Sequence, residues 1–433
     1  MRFRASEAAA AIGAALVGPD VTIHGVAFDS RMLRPGQLFV ALRGKRDGHE
    51  FLADAVERGA AAVLAQRPAA SATSIVVAGD TLRALMDLAA AMRRRFAGTV
   101  VGITGSVGKT STKDLCWAAV GASRRTAANA KSFNNEQGLP TTVLNAADDT
   151  EVLVLEMGMR AAGEITELCA IAHPSIGLVT RVAEAHSDRV GGLDGVAGAK
   201  AELVAALPER GTAILNADDH RVLAMASQTR AAVLTFGAEP TADVRLSRLR
   251  LDELARPRFV VDSPWGAAEV RLSVSGAHMA VNAAGALAVV GALGADLTAG
   301  AAALAEVQPG AQRMAVRPTA AGGTVLDDSY NANPTSMRAG LDALAELPAA
   351  RRVAVVGVMA EIADAAAEHR AIVDYAAARG IDIIAVGTDL YGVDPCDDPV
   401  AAVGSVAGGH AVLVKGSRVA GLERVAEALV ERA

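Results

Sequence analysis

The sequence has few cysteines, few aromatic residues and no long apolar run. The scarcity of cysteine argues against a disulfide-rich protein, and the absence of a long apolar run argues against a membrane-spanning one. Three cysteines in 433 residues, Cys116, Cys169 and Cys396, are odd in number and far apart, which excludes a disulfide framework and predicts reduced, buried thiols. No apolar run approaches the length of a membrane span. Residues 1–17 lack the apolar core and cleavage pattern of a signal peptide, so we expect a cytoplasmic protein without stable membrane insertion.

Charge and composition narrow the class further. A formal net charge of -6 gives no general attraction to nucleic acid, so no nucleic-acid partner is expected and a polyphosphate ligand requires a local site. Hydrophobic residues make up 52% of the chain and alanine is abundant, which is typical of a compact, helix-rich α/β protein. A length of 433 residues exceeds what one core supports and predicts two or three domains.

The most informative stretch lies between Thr99 and Val120. A β-branched strand precedes a turn with glycines at positions 105 and 108, and a segment with helical spacing then begins at Lys109. Such a turn brings backbone N–H groups to an anion, while Lys109 reaches the terminal phosphates and the Thr110 hydroxyl binds Mg²⁺. Ile103 stands where the usual eight-residue P-loop has its first glycine, and an ordinary strand-to-helix turn that contains a lysine is the alternative.

Strand and helix patterns alternate along the chain in three units, residues 1–98, 99–310 and 311–433. Alternation at βαβ spacing predicts an α/β fold with mostly parallel sheets and helices on both faces. The third unit is similar to a small dinucleotide-binding fold, but no Gly-x-Gly-x-x-Gly follows its strands, which disfavours a nicotinamide oxidoreductase. An antiparallel flap is expected over 244–274 and a long apolar helix over 278–290. The predicted strands are 21–23, 37–42, 61–64, 99–103, 151–156, 175–182, 212–216, 324–326, 353–356, 381–386 and 411–414.

Polar side chains follow the predicted strands of the second unit. In parallel sheets ligands bind beyond the carboxyl ends of the strands, which makes Glu156, His186 and the run Asn216–Asp219 candidates. Glu156 ends an apolar strand expected beside the strand 99–103, so we predict that its carboxylate reaches a metal ion rather than serving only as a structural cap. His186 and Lys200, taken alone, are typical of a loop residue and an exposed helical residue.

Two polar clusters follow strands of the third unit. The run Asp327–Pro334 contains two acids, a tyrosine and two asparagines, which is more than a helix cap requires, although Pro334 fits a helix start. The run Lys415–Arg418 places two cations where they can meet a carboxylate or phosphate of a substrate. In the first unit, the composition around Ser30 and Arg31 favours a solvated turn.

Together these residues make the chain similar to the Mur ligase superfamily, and within it to the ligases that add D-alanyl-D-alanine. The run Asp327–Pro334 is the most specific part of the resemblance, because related ligases that add a single amino acid carry a different sequence there. The matching segments cover almost the whole chain. They are Asp29–Arg31, Gly44–His49, Thr104–Thr110, Asn134–Pro140, Glu156–Gly158, Gly163–Ile165, His186, Lys200, Asn216–Asp219, Gly276 with His278 and Asn282, Arg313, Asp327–Pro334 and Lys415–Arg418.

The resemblance implies a three-domain monomeric enzyme. A small α/β domain at 1–98 would hold the uridine diphosphate part of UDP-N-acetylmuramoyl-tripeptide. A P-loop parallel-sheet domain at 99–310 would hold ATP, and a Rossmann-like domain at 311–433 would hold D-alanyl-D-alanine. The implied reaction is an ATP-dependent, ADP-forming amide synthesis through an acyl phosphate, in the making of peptidoglycan precursors.

The same resemblance implies a role for each matching residue. ATP contacts are implied for Thr104, Gly105, Ser106, Val107, Gly108, Lys109, Thr110, Ser111, Asn282, Asp327, Asp328 and Tyr330. Substrate contacts are implied for Ser30, Arg31, Asn134, Asn135, Asn331, Asn333, Lys415, Ser417 and Arg418. Thr110 and Glu156 would hold one Mg²⁺ and His186 a second. Lys109, His186, Lys200 and Arg313 would be catalytic, with Lys200 carbamylated and Arg313 at the γ-phosphate.

The sequence departs from the family pattern at a few positions. Residues 357–363 read Gly-Val-Met-Ala-Glu-Ile-Ala where Gly-Asp-Met-x-Glu-Leu-Gly is expected, and Met279 stands where asparagine is usual. The ATP and metal positions stay intact, and the departures bear on the dipeptide side. Two alternatives stay open, namely a ligase of the superfamily that adds a single amino acid or acts on folate, and a P-loop nucleotide-binding module without ligase activity.

Overall fold

The chain forms three main sheets in consecutive segments of the sequence. The computed structural model describes residues 1–130, 132–184, 190–308 and 310–432. No helix among those residues combines the length and the apolar character that crossing a membrane requires. Short 3-10 turns occur at Ser30–Met32, Gly48–Phe51, Met225–Gln228, Leu304–Glu306 and Arg418–Ala420.

The N-terminal segment contains a five-stranded sheet and a two-stranded one. Its strands are β1 (Arg2–Arg4), β2 (Ala15–Val17), β3 (Thr22–His24), β4 (Val26–Ala27), β5 (Leu38–Val40), β6 (Ala62–Ala65) and β7 (Thr73–Val76), and its helices are α1 (Ala5–Ala11), α2 (Leu52–Glu57) and α3 (Thr81–Arg93). The larger sheet has the order β2-β7-β6-β5-β4, in which β2 is antiparallel to β7 and the other pairs are parallel.

The central segment contains a nine-stranded sheet. Its strands are β8 (Thr99–Thr104), β9 (Thr126–Ala128), β10 (Val152–Glu156), β11 (Ile176–Val179), β12 (Thr212–Asn216), β13 (Ala232–Gly237), β14 (Val244–Leu251), β15 (Pro257–Ser263) and β16 (Gly266–Arg271). Its helices are α4 (Lys109–Gly121), α5 (Gly138–Asn145), α6 (Glu164–Ala172), α7 (Gly192–Ala205), α8 (His220–Ala224), α9 (His278–Ala292) and α10 (Leu297–Ala303). The order is β16-β15-β14-β13-β12-β11-β8-β10-β9, parallel from β9 to β14 and antiparallel beyond it.

The C-terminal segment contains a five-stranded sheet. Its strands are β17 (Ala315–Pro318), β18 (Thr324–Asp327), β19 (Arg351–Val356), β20 (Asp382–Ala385) and β21 (His410–Lys415), and its helices are α11 (Pro334–Glu346), α12 (Ala365–Ala377), α13 (Pro399–Val403) and α14 (Glu423–Glu431). The order is β17-β18-β21-β19-β20, with only β17 antiparallel to its neighbour.

Most sequence-predicted elements are confirmed, including the α/β class, the parallel sheets, the antiparallel flap at β14–β16 and the long apolar helix α9. Helix α9 is apolar on nearly all sides because it is buried between the central sheet and α4. Among the described residues, the sequence patterns did not predict β1, β2, β4, β7, β9, β13 and β17. All of these except β13 are short strands of two to four residues, and β2, β4, β9 and β17 form sheet edges, where hydrophobic patterning is weak.

The N-terminal and central segments share one hydrophobic core. A continuous cluster of buried side chains runs from the β5–β7 sheet through α3 to α5, α6 and one face of the central sheet. The other face of the central sheet has its own cluster with α4 and α9, and the C-terminal sheet has a cluster on each face. Burial of apolar surface therefore holds the first two segments together.

Asn145, the last residue of α5, reaches from the central segment into the N-terminal one. Its Oδ1 accepts from the Val26 N–H at 2.8 Å and its Nδ2 donates to the Val26 carbonyl at 2.9 Å, so one side chain pairs with β4 like a neighbouring strand. The approach is close enough that a Cβ at Gly25, which has φ +81°, would collide with Oδ1. The junction thus depends on an asparagine and a glycine that the sequence analysis did not single out.

Asn145→Leu tests this junction. Loss of two hydrogen-bond partners for buried backbone groups is expected to lower the free energy of unfolding by about 2–4 kcal/mol, measured by urea denaturation. Asn145→Asp keeps the acceptor for the Val26 N–H but places a carboxylate oxygen opposite the Val26 carbonyl, so it is also expected to lower the free energy of unfolding. An unchanged urea midpoint for Asn145→Leu would contradict the role assigned to this side chain.

Candidate active site

The turn between β8 and α4 is held in one shape by contacts from the strand end of β11. Thr180 donates from Oγ1 to the Val107 carbonyl at 2.6 Å, and the Ser106 N–H donates to the Arg181 carbonyl at 2.7 Å. A Cβ at Gly105 would collide with the Thr180 hydroxyl, and Gly108 has φ +82°. Both glycines are therefore required by close approach or by backbone conformation, as expected of an anion-binding turn.

Lys109 opens α4, and its Nζ donates to the Gly105 carbonyl at 2.8 Å. The ammonium group is therefore folded back over the turn. Asn282 of α9 lies against the same turn, since its Oδ1 would be 2.8 Å from a Cβ at Gly108. These contacts bring Lys109, predicted to contact the phosphates, and Asn282, predicted to contact the adenosine, to the same turn.

Glu156 ends β10, and the predicted adjacency of this strand to β8 is confirmed. The carboxylate is buried, accepts from the Thr110 hydroxyl at 2.8 Å through Oε2, and accepts from the Asn134 amide at 2.7 Å through Oε1. Its backbone N–H donates to Asn129 Oδ1 at 2.9 Å, and Asn129 Nδ2 donates to its carbonyl at 3.1 Å. A carboxylate and a hydroxyl in direct contact form the hard oxygen set that Mg²⁺ prefers, so these residues fit that ion.

Lys109 lies near this carboxylate and near two further cations, Arg313 and Lys200. Withdrawal from water lowers the pKa of Lys109, with Glu156 opposing the shift and Arg313 adding to it. Lys200 is buried on α7, and burial followed by the charge of Lys109 holds its pKa well below the ordinary range of a lysine. The sequence alone predicted an exposed helical residue at position 200. That prediction is wrong, because Lys200 is only 3% exposed.

His186, predicted as a metal ligand, lies outside the described residues. Within the part of the chain that is described, no cluster of three or more His, Cys, Asp and Glu side chains could by itself hold a metal ion. The contact between Glu156 and Thr110 is therefore the arrangement among the described residues that fits the predicted Mg²⁺ ligands.

The run Asn216–Asp219 makes hydrogen bonds that support the ends of the strands. Asn216 donates from Nδ2 to the Thr180 carbonyl at 2.7 Å, and Asp219 accepts from the Val182 N–H at 2.9 Å. Asp219 also caps α8. Asn216 and Asp219 therefore hold the backbone of Thr180 and Val182, and Thr180 fixes the glycine turn after β8 through the Val107 carbonyl.

The C-terminal loop after β18 packs against the central segment. Tyr330 makes a 2.5 Å hydrogen bond with the Ser132 hydroxyl, and the Arg313 guanidinium lies 4.0 Å from its ring centroid. Asp327 accepts from the Ser329 hydroxyl at 2.6 Å, and Asp328 accepts from the Lys415 ammonium at 2.5 Å. The adenosine contacts of this loop stay a prediction.

Several residues predicted to bind substrate are already engaged within the protein. Asn333 caps α11 through the Ser336 N–H, and Asn135 accepts from the Gly138 N–H at the start of α5. Lys415 is buried and also donates to the Asn331 carbonyl at 2.8 Å.

The remaining predicted substrate contacts differ in exposure. Ser417 is buried and donates to the Ala332 carbonyl at 3.2 Å, whereas Arg418 is exposed. Arg418 is thus the exposed cation of the 415–418 cluster, and it donates to Gln312 Oε1 at 3.1 Å. In the N-terminal segment, Ser30 is buried and bonded to Asp54, and Arg31 pairs with Asp29 at 2.7 Å.

An open groove of about 570 Å³ lies at the C-terminal end of α4, opposite to the end that follows the glycine turn. Trp117 and two arginines line it. Arg125 pairs with Asp149 and Glu151 at 3.5 Å, and Arg124 approaches Glu151 at 3.9 Å. Both arginines of this groove are therefore already paired with carboxylates, and the groove is separate from the site around Lys109 and Glu156.

Three family models together match most of the chain. Residues 22–95 match the Mur ligase family catalytic domain, 103–290 the Mur ligase middle domain, and 312–431 the Mur ligase glutamate ligase domain. A UDP-N-acetylmuramoyl-tripeptide--D-alanyl-D-alanine ligase of Mycobacterium tuberculosis is 40% identical over 467 residues, covering 94% of this chain and 92% of that protein. The chain belongs to the Mur ligase family.

Solved structures agree with this assignment. MurF from Acinetobacter baumannii superposes with a TM-score of 0.88 at 28% identity and covers 99% of both chains. MurF ligase from Thermotoga maritima in complex with ADP superposes with a TM-score of 0.81 at 28% identity, covering 94% of this chain and 97% of that one. The α/β architecture expected from the sequence is therefore that of MurF structures.

Glu156→Gln tests the metal position. The substitution keeps the size of the side chain and removes its charge, so the Mg²⁺ concentration for half-maximal ATP binding is expected to rise at least about 10-fold. Titration calorimetry of ATP at several Mg²⁺ concentrations measures the change.

Glu202→Gln is the matched control. The Glu202 carboxylate accepts from the Gly163 and Thr166 N–H groups at 2.7 and 2.9 Å, away from the turn after β8. Its Mg²⁺ dependence is expected to equal that of the wild type. Equal Mg²⁺ dependence in Glu156→Gln would exclude Glu156 as a ligand.

Proposed function

We propose that this chain joins D-alanyl-D-alanine to UDP-N-acetylmuramoyl-tripeptide, with conversion of ATP to ADP and phosphate. The observation that carries the proposal is the Thr110–Glu156 pair beside Lys109, in a chain whose relatives of 40% identity are ligases of that name. The Thermotoga relative was solved with ADP, which supports ATP as the nucleotide.

The chemistry starts from a carboxylate, which is a poor acyl donor. The terminal carboxylate of the tripeptide attacks the γ-phosphorus of ATP, and the bond to the β,γ-bridging oxygen breaks to release ADP. Lys109 and Arg313 spread the negative charge that develops on the transferred group. Thr110 and Glu156 would hold Mg²⁺, which would supply positive charge to offset the negative charge of the phosphates.

The second half of the reaction forms the amide. The amine of D-alanyl-D-alanine attacks the acyl phosphate carbonyl, and the tetrahedral intermediate expels phosphate. Arg418, exposed at the end of β21, is the proposed contact for the carboxylate of the dipeptide. Lys415, held by Asp328, supports the loop that carries Asn331.

Lys200 is proposed to carry a carbamate. Reaction with CO₂ requires the neutral amine, and the lowered pKa of Lys200 increases the fraction of the side chain in that form. The carbamate replaces a buried cation by an anion beside Lys109, which relieves the repulsion between the two lysines. His186 as a second metal ligand remains part of this proposal.

The remaining parts of the proposal follow from the same family. Domain limits near residues 98 and 310, a monomeric state and a cytoplasmic location stay predictions. The three sheets fall within the proposed limits, since the first ends at residue 76, the second spans 99–271 and the third spans 315–415.

The decisive assay measures phosphate release from ATP with UDP-N-acetylmuramoyl-tripeptide, with and without D-alanyl-D-alanine, followed by mass analysis of the product. Release that requires both substrates and yields the pentapeptide is expected. Lys109→Ala is expected to lower kcat about 10²–10³-fold, because one preorganised cation is lost from the transferring phosphate.

Arg124→Ala, at the far end of α4, is the control and is expected to keep wild-type kcat. Activity with a single amino acid or with folate in place of the proposed substrates would keep the ligase chemistry and reject the assigned acceptor. Phosphate release independent of any carboxylate would support a nucleotide-binding module instead.

Lys200→Ala tests the carbamate. The variant is expected to lose most phosphate release and to regain part of it with added acetate, because a small carboxylate can take the place of the missing anion. Chloride at equal ionic strength is the control. Full activity of Lys200→Ala without any added carboxylate would reject the carbamate.

A further inference from the structure

Tyr330 connects the C-terminal loop to the central segment. Its hydroxyl is 2.5 Å from Ser132 Oγ, and its backbone N–H donates to the Gln312 carbonyl at 3.1 Å. The side chain is half-buried between the two segments. Tyr330 is therefore tied at its hydroxyl to one segment and at its backbone to the other.

Two guanidinium groups surround the same ring. Arg313 lies 4.0 Å and Arg418 lies 5.7 Å from the ring centroid, distances at which cations are attracted to the π face. Arg418 also donates to Gln312 Oε1 at 3.1 Å. The ring and Gln312 thus hold two cations that otherwise have long, flexible side chains.

Ser132 belongs to the loop that carries Asn134. The Asn134 N–H donates to the Ser132 carbonyl at 2.8 Å, and the Asn134 amide donates to Glu156 at 2.7 Å. Asn129 holds the loop from below by donating to the Phe133 carbonyl at 2.8 Å. The Tyr330 hydroxyl therefore bonds to the loop whose Asn134 side chain contacts the Glu156 carboxylate.

We propose that Tyr330 is a positioning residue. Its ring fixes the direction of the Arg313 guanidinium, and its hydrogen bond to Ser132 sets that guanidinium relative to Lys109 and Glu156. The inference rests on the proposed function for its catalytic consequence, because Arg313 acts on the transferring phosphate only if the two segments meet at this contact. It differs from a contact between Tyr330 and adenosine, since it assigns the hydroxyl to Ser132.

Tyr330→Phe keeps the ring beneath Arg313 and removes the hydroxyl. Ser132→Ala removes the other half of the bond from the opposite segment. Each variant is expected to lower kcat about fivefold, the size of one hydrogen bond, with KM for ATP unchanged. The double variant is expected to lose no more than either single variant, because both remove the same interaction.

Tyr375→Phe is the matched control. Its ring faces Arg379 at 3.5 Å and its hydroxyl donates to Asp342 at 2.9 Å, so it reproduces the same kind of contacts wholly within the C-terminal segment. Its kcat is expected to be that of the wild type. A merely structural tyrosine at 330 would behave like this control, with a change in thermal stability and none in kcat.

A readout independent of turnover separates this inference from the proposed function. Hydrogen exchange of a peptide spanning residues 132–140 is expected to become faster in Tyr330→Phe and in Ser132→Ala, and to stay unchanged in Tyr375→Phe. Unchanged exchange and unchanged kcat in the first two variants would overturn the positioning role. A wild-type chain that is inactive with the proposed substrates would reject the proposed function, and the exchange result would still decide whether Tyr330 holds the loop.

Raised KM for ATP with unchanged kcat in Tyr330→Phe is the third outcome. It would assign the hydroxyl to nucleotide binding and would also overturn the proposal. The measured split between kcat and KM therefore discriminates the two roles of the same atom.

Discussion

Withdrawal of charged groups from water is the constraint on which the site depends, because Lys200 and Glu156 are buried and Lys109 is half-buried. The charge of Lys109 adds to the effect of burial in lowering the pKa of Lys200, while Arg313 does the same to Lys109. Glu156 is the carboxylate among the described residues that opposes the shift of Lys109. A region with more cations than anions is suited to ligands that bring negative charge, such as phosphates.

The sheet creates this concentration of charge. Strands β10, β8 and β11 are parallel neighbours, so their carboxyl ends lie at one edge and bring Glu156, the turn at Gly105 and Thr180 together. Register decides the details, because Glu156 pairs with Ile103 and Val179 pairs with Thr104. One residue of slip in β10 would move the carboxylate to the opposite face of the sheet.

Sequence patterns predicted those elements whose signals are local. The strand, glycine turn and helix at 99–121 were predicted with their chemistry, and so was the position of Glu156 at a strand end. The burial of Lys200 was not predicted, because a lysine in a helix gives no local sign of burial. Asn129, Asn145, Ser132 and Thr180 were missed because each acts through a partner many residues away, which no periodicity records.

The departures at 357–363 have a structural counterpart in how that loop is held. Tyr391 donates to the Gly357 carbonyl at 2.9 Å, the Met359 N–H donates to His369 at 2.9 Å, and the Ala360 N–H donates to Ser417 at 2.9 Å. Backbone atoms make these contacts on the loop side, so they do not depend on which side chain stands at 358 or 363. Ser417 also binds the Ala332 carbonyl, which ties this loop to the run Asp327–Pro334.

The loop at 357–363 is therefore held through its backbone atoms, whereas the turn after β8 is surrounded by charged side chains. Substitutions in the loop can change the side chains that it presents without moving its backbone. Substitutions at the turn change the local charge. The turn after β8, Glu156 and Lys200 fit the family pattern, whereas residues 358 and 363 differ from it. The departures therefore fall where backbone atoms make the contacts, and the matching residues fall where charged side chains lie.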